Sequence, residues 1–210
     1  MSVGRIIKTH DCIAEGTDYL ASIEPRFAHA LELTGPPPLR LRRDGFAALL
    51  DAIVSQQVSV ASANAIWKRL EDANLTGPRK INAASDDDLR ACGLSRQKMR
   101  YARELSQSGI KFNALRETPT DDVIKTLVVV PGIGAWTAEI YAMFSLGRAD
   151  VFAPGDLALQ EAARVLFDLD ERPTEKQLRT KAEAWSPWRS VAARLLWAYY
   201  RVDKKREGIR

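Results

Sequence analysis

The chain has 210 residues, of which 46% are hydrophobic and 28% charged, and its formal net charge is +4. This is a globular composition with enough chain for one sizeable core; no apolar run reaches the roughly 18–20 residues that span a bilayer, and acidic residues come too early in "MSVGRIIKTHDCIAEG" for a secretory leader. Two cysteines, Cys12 and Cys92, exclude a disulfide framework and the four thiolates of an iron–sulfur cluster. The expectation is an intracellular, monomeric protein with no membrane association, whose mild basic excess permits a polyanionic partner without requiring one.

In chain order the pattern is helical throughout. "GPPPLRLRRDGF" (35–46) reads as a proline-stiffened connector. Beyond it, Phe46, Leu49, Leu50, Ile53 and Val54 recur at helical spacing. Ser59 is placed to cap a second helix carrying Ala63, Ile66, Trp67 and Leu70. "SDDDLRACG" predicts a short helix opened by the Ser85/Asp88 pair and stopped by Gly93. Ser95 begins another, with Met99, Ala102 and Leu105 on one face and Lys98 and Arg100 available for phosphate. Thr120 is expected to cap "DDVIKTLVV", and Thr174 with Gln177 forms a further capping box. Ser186-Pro187 is expected to open the last helix, whose apolar face includes Val191, Leu195, Leu196 and Tyr199. No alternating strands and no internal repeat are visible.

Two features call for chemistry. The first is "PGIGAWTA" (131–138) between two helical segments. Gly132 and Gly134 permit backbone conformations and a close approach that a Cβ would forbid. Ile133 can turn inward, leaving the N–H groups of the next helix, from Gly134 through Ala135 to Thr137, to face an anion such as a DNA phosphate. A purely structural corner is the competing reading. A dinucleotide fingerprint is excluded by Thr137, and a phosphate-loop lysine is lacking. The second feature is Asp156, behind "VFAPG" and ahead of the helical run "LALQEAARVLF". An aspartate there is first of all an N-cap. Such a carboxylate is also stabilised as the anion by the helix dipole, which is what a cationic transition state needs.

Taken together, "SQQVS" (55–59), "PGIGAWTA", "DVFAPGDLALQ" (150–160) and "WSPWRSVAARLLW" (185–197) resemble, in family order, the helix-hairpin-helix Gly/Pro-Asp DNA glycosylases, in particular the DNA-3-methyladenine glycosylase II or alkyladenine branch. The resemblance implies an all-α, compact two-lobed helical globule, with residues 1–44 and the C-terminal helices in one lobe and about 45–135 in the other. It resembles the compact form that lacks the β-rich N-terminal domain of larger members. It implies a base-excision-repair enzyme that flips an alkylated purine out of double-stranded DNA and hydrolyses its N-glycosidic bond. Asp156 falls on the catalytic aspartate. Trp136, Trp197 and Tyr141 fall on base-pocket positions, where aromatic faces favour a cationic base, while Trp67 and Trp185 read as core. Trp136 also stands where lyase-competent relatives carry a lysine, which implies a monofunctional enzyme.

Gln57, with Gln56 beside it, matches the wedge that fills the gap left by the flipped nucleotide, in place of the apolar residue of some relatives. Gly132, Gly134, Ala135, Thr137 and Ser59 are implied in holding the DNA backbone. The resemblance implies no organic cofactor, but a monovalent cation held by the carbonyls of Val128, Val130 and Ile133. Two rivals stay open at this point: a glycosylase for oxidised or deaminated bases, and a non-catalytic helix-hairpin-helix DNA-binding module. Asp156 in its Pro-Gly-Asp setting separates the latter from an enzyme.

Overall fold

The structure is a computed structural model and describes residues 3–204. It contains twelve α-helices among the described residues: α1 (His10–Ile23), α2 (Pro25–Thr34), α3 (Phe46–Ser55), α4 (Val60–Asp72), α5 (Pro78–Ala83), α6 (Asp86–Ala91), α7 (Arg96–Gln107), α8 (Thr120–Val128), α9 (Ala135–Phe144), α10 (Leu157–Leu166), α11 (Glu175–Glu183) and α12 (Arg189–Lys204). Among the described residues, pairing of β type is confined to one isolated bridge between Ile6 and Arg148. The protein is all-α, and no described helix is long and apolar enough to cross a membrane. The chain divides into two units, one of residues 1–41 and 142–210 and the other of residues 42–141.

In the central unit, α7 packs on α3 and α5, and α4 packs on α3. Leu49, Leu50, Ile53, Leu70, Ile81, Leu89 and Leu105 form its buried centre. Local signals set the helix starts. The Ser59 and Ser95 hydroxyls accept from Ser62 N–H and Lys98 N–H, and Ser85 with Asp88 completes a capping box. α8 departs from expectation. Thr120 is its first helical residue, because the carbonyl of the preceding Pro119 takes the N–H groups of Asp122 and Val123.

In the terminal unit, α12 lies against α1, α2 and α10. Trp185 is core, as expected: it stacks on Phe167 and meets Phe27 and Phe152 edge-on. Trp67 of the central unit is not core. It is half-buried, and its indole N–H donates to Glu71 Oε1 at 2.9 Å. α12 starts at Arg189 rather than at Ser186-Pro187. Trp188 N–H closes a turn onto the Trp185 carbonyl. Asp150 then ties the helix start by accepting from Ser186 Oγ at 2.9 Å and Arg189 Nε at 2.5 Å. Helices α1, α2 and α5 carry weaker sequence signals. α2 begins with Pro25 at its first turn and Glu24 accepting from Arg26 N–H.

Candidate active site and nucleic-acid interface

In the terminal unit, the turn before α10 presents Asp156. Its N–H bonds the Ala153 carbonyl at 3.0 Å. The Gln160 amide, buried one turn into α10, donates to the Pro154 carbonyl at 2.8 Å and holds the Pro154-Gly155 turn from below. Asp156 is the N-cap of α10, as its position before "LALQ" implies, and is 7% exposed. Oδ1 accepts from Ala158 N–H at 2.9 Å, from Leu159 N–H at 3.1 Å and from the Trp197 indole N–H at 3.2 Å. Three donors on one oxygen fix the orientation of the carboxylate, and its charge sits at the positive end of a helix. The structure thus brings two expected site residues, Asp156 and Trp197, into direct contact. Trp197 is 3% exposed, and its ring lies 5.7 Å from Phe144 with the planes 30° apart.

The central unit holds the hairpin between α8 and α9. Ile133 is buried and its N–H closes onto the Val130 carbonyl at 3.0 Å, so it forms the inward plug its position suggested. The two glycines differ. Gly132 has φ +92°, and a Cβ there would stand 2.4 Å from Tyr101 Cγ, so the fold itself requires glycine. Gly134 has no positive φ, and a Cβ would meet nothing within 4 Å. Internal packing therefore does not require glycine at that position.

Gly134 and Ala135 are exposed, but Thr137 is buried and turned away from solvent. Trp136 is 39% exposed in the first turn of α9, and Val129, on the other limb, is 76% exposed. Unshielded apolar side chains beside open helix N–H groups form a surface of mixed character, suited to sugar–phosphate.

The Gln-Gln turn and the hairpin line one cleft of about 700 Å3 with Lys98 and Tyr101. Gln56 and Gln57 have different places in it. Gln56 Nε2 donates to the Gly132 carbonyl at 2.8 Å, tying the end of α3 to the hairpin. Gln57 is exposed and has φ +56°, a left-handed conformation that costs a non-glycine residue roughly 1–2 kcal/mol. Strain of this kind gathers at functional sites.

Lys98 is not the surface phosphate contact its sequence position suggested. It is 8% exposed and its ammonium donates to the Val54 carbonyl at 2.7 Å, capping the C-terminus of α3, while burial pushes its pKa down. Arg100 does remain exposed, 5.6 Å above the Tyr101 ring. Tyr141 is buried, and its hydroxyl accepts from Gly45 N–H at 2.8 Å; burial raises its pKa. That hydroxyl anchors the start of α3.

At the end of α8 the carbonyls have no intrahelical partner. Val128 is the last residue of α8, and Val130 and Ile133 lie in the hairpin beyond it; their carbonyls are oxygens of the type monovalent cations take. The Val130 carbonyl already accepts the Ile133 N–H and keeps a second lone pair. Among the described residues no cluster of His, Cys, Asp or Glu is arranged to hold a metal ion.

A family model described as HhH-GPD superfamily base excision DNA repair protein matches residues 50–187. DNA-3-methyladenine glycosylase 1 of Schizosaccharomyces pombe is 29% identical over 192 residues, covering 85% of this chain and 84% of that protein. Among solved structures, the 3-methyladenine DNA glycosylase of the same yeast in complex with abasic DNA superposes with a TM-score of 0.77 at 26% identity, covering 90% of this chain and 97% of that one. A DNA-3-methyladenine glycosidase from Bacillus halodurans superposes with a TM-score of 0.78 at 32% identity, covering 89% and 88%. With two thirds of its length matched by the family model, the chain belongs to the HhH-GPD superfamily of base excision DNA repair proteins.

Proposed function

We propose that this protein is a monofunctional DNA glycosylase that extrudes alkylated purines of the 3-methyladenine type from duplex DNA and hydrolyses their N-glycosidic bond. The observation that carries this reading is the Asp156 carboxylate, held on Oδ1 by two helix N–H groups and the Trp197 indole. As the bond between C1′ and the base nitrogen breaks, positive charge develops on the deoxyribose. A preorganised carboxylate lowers the energy of that charge without reorganising. An alkylated purine already carries positive charge and leaves readily, so the step needs little acid catalysis. The names of the two solved relatives point to the same base class.

The central unit supplies the grip on DNA. Gly134 and Ala135 direct open N–H groups of α9 toward a backbone phosphate, and Ser59, at the start of α4, is a second backbone contact. Gln57 fills the space vacated by the flipped nucleotide. Its polar end can hydrogen-bond the orphaned base, and its left-handed backbone lets it stand out from the turn. Gln56 holds that turn rather than acting as the wedge. A cation on the carbonyls of Val128, Val130 and Ile133 would add positive charge beside the phosphate. Trp136 puts an indole where a lyase would need an amine, so no Schiff base forms and the DNA strand is left intact. In the terminal unit, Trp197 beside Asp156 is the aromatic residue we assign to a cationic base.

The test is mass-spectrometric identification of the free bases released from methylated duplex DNA. The expected products are 3-methyladenine and related alkylpurines, with strands intact until alkali is added. Release of no base would leave only a DNA-binding module.

A further inference from the structure

The turn that carries Gln57 rests on a buried charge. α3 ends at Ser55, and Gln56 is already extended, with φ −63° and ψ 131°. Were the helix one turn longer, the Val54 carbonyl would take the N–H of Val58. Lys98 takes that carbonyl instead. Its ammonium donates to it at 2.7 Å, from a side chain that is 8% exposed. A cation at this end of α3 also suits the dipole of that helix.

Nothing about α7 alone selects a lysine at this position. Lys98 lies in the first turn of α7, where the dipole of its own helix disfavours positive charge. Among the described residues no carboxylate pairs with it, and burial pushes its pKa down. A buried ammonium without a counter-ion costs stability, and an unbranched apolar side chain such as methionine would fill similar space without that cost. The return lies in the turn above it. Gln57 is exposed and has φ +56°, so its side chain stands out from a strained backbone. The turn is tied at two points, Val54 to Lys98 and Gln56 to the Gly132 carbonyl. One helical turn beyond Lys98, the Tyr101 ring occupies the space where a Cβ on Gly132 would stand. Lys98 and Tyr101 line the cleft together with Gln57. One face of α7 thus supports both the Gln-Gln turn and the hairpin.

We infer that Lys98 is the positioning residue of the wedge: by occupying the Val54 carbonyl it stops α3 and keeps Gln57 raised in its left-handed conformation. The inference rests on the reading of Gln57 as the wedge. Without the ammonium, the Val54 carbonyl is open to the Val58 N–H, α3 can extend, and Gln57 relaxes into helical backbone that re-aims its side chain. Lys98 therefore acts on base extrusion, through Gln57, and not on cleavage of the glycosidic bond.

The test measures single-turnover release of one 7-methylguanine by the full chain. In one duplex the lesion faces cytosine, and in the other it faces a gap. Each preparation gives a paired-to-gap rate ratio, in which a loss of folded protein cancels. Lys98→Met should lower the ratio at least about fivefold, because extrusion is most costly where pairing persists. In a Gln57→Gly background the same substitution should change the ratio less than about twofold, since the group it positions is gone. A lysine with a merely structural role would slow both duplexes alike. Lys98→Gln, which also removes the ammonium, carries the comparison should Lys98→Met not fold. If Gln57→Gly lowers the ratio but Lys98→Met leaves it unchanged, or lowers it equally in both backgrounds, the inference is overturned and the wedge stands. If Gln57→Gly leaves the ratio unchanged, the wedge reading fails and takes this inference with it. A folded parent that released no base from either duplex would count against the glycosylase reading itself, and against the role of Lys98 with it.

Discussion

The indole N–H of Trp197 reaches 41 residues back along the chain to donate to Asp156 Oδ1 at 3.2 Å, and both side chains are almost wholly buried. The aspartate is therefore held from two directions, by the start of its own helix and by the aromatic face of α12. A helix cap needs only the first of these.

Trp197→Phe tests the second hold. It keeps an aromatic ring against Phe144 but removes the donor, and a hydrogen bond to a charged group contributes about 1.5–3 kcal/mol. Excision should fall about tenfold, with the variant still cooperatively folded by thermal melting. A variant with the parent's single-turnover rate would show that the indole N–H does not position the carboxylate.

The two hairpin glycines should separate folding from binding. Gly132→Ala places a Cβ 2.4 Å from Tyr101 Cγ at φ +92° and should lose about 1–3 kcal/mol of stability. At Gly134 an added Cβ meets no protein atom within 4 Å, so Gly134→Leu should melt like the parent. It should bind undamaged, abasic and lesion-bearing duplexes alike about tenfold more weakly, because the backbone contact carries no sequence or lesion information. Unchanged duplex affinity by fluorescence anisotropy would remove the phosphate role from the start of α9.

Gln57→Gly is the clean test of the wedge. Glycine accepts φ +56° without strain, so the side chain is lost while the turn is relieved. Excision should slow for a paired lesion and hold for the same lesion opposite a gap, since extrusion costs a few kcal/mol and least where pairing is already lost. Equal slowing on both duplexes would count against it.

Lys98 gives a pH dependence whose sign is fixed. Burial lowers the ammonium pKa below its ordinary 10.5. Between the folded pKa and 10.5 the unfolded chain binds more protons than the folded one, so this group adds stability as pH rises through that window. Urea unfolding at about pH 8 and about pH 10 should show the stability difference, parent minus Lys98→Met, growing with pH. A difference that stayed flat or shrank would mean that the buried ammonium is not penalised.

Local signals were legible in the sequence, and long-range ones were not. Ser59, Ser95, Ser85 with Asp88, Thr174 with Gln177, and Asp156 all cap the helices they precede, because a cap is decided within about four residues. Ile133 between its glycines was readable for the same reason. α1 and α2 take much of their support from packing on α12, more than a hundred residues away, so their own sequence says less. The burial of Lys98 depends on Val54, the place of Gln56 on Gly132, and the hold on Asp156 on Trp197; none of these pairs is close in sequence.

The central claim is that the charge of Asp156, and not its place as a helix cap, breaks the glycosidic bond. Asp156→Asn keeps nearly the same volume and keeps a side-chain oxygen to accept from Ala158 and Leu159, so folding and lesion binding should persist. The decisive measurement is the single-turnover rate of 3-methyladenine release from methylated duplex DNA by the parent and by Asp156→Asn. A fall of at least about a hundredfold, the scale lost with one preorganised electrostatic group, is the predicted result. An asparagine variant within a few-fold of the parent would contradict it and leave Asp156 as the cap of α10 alone.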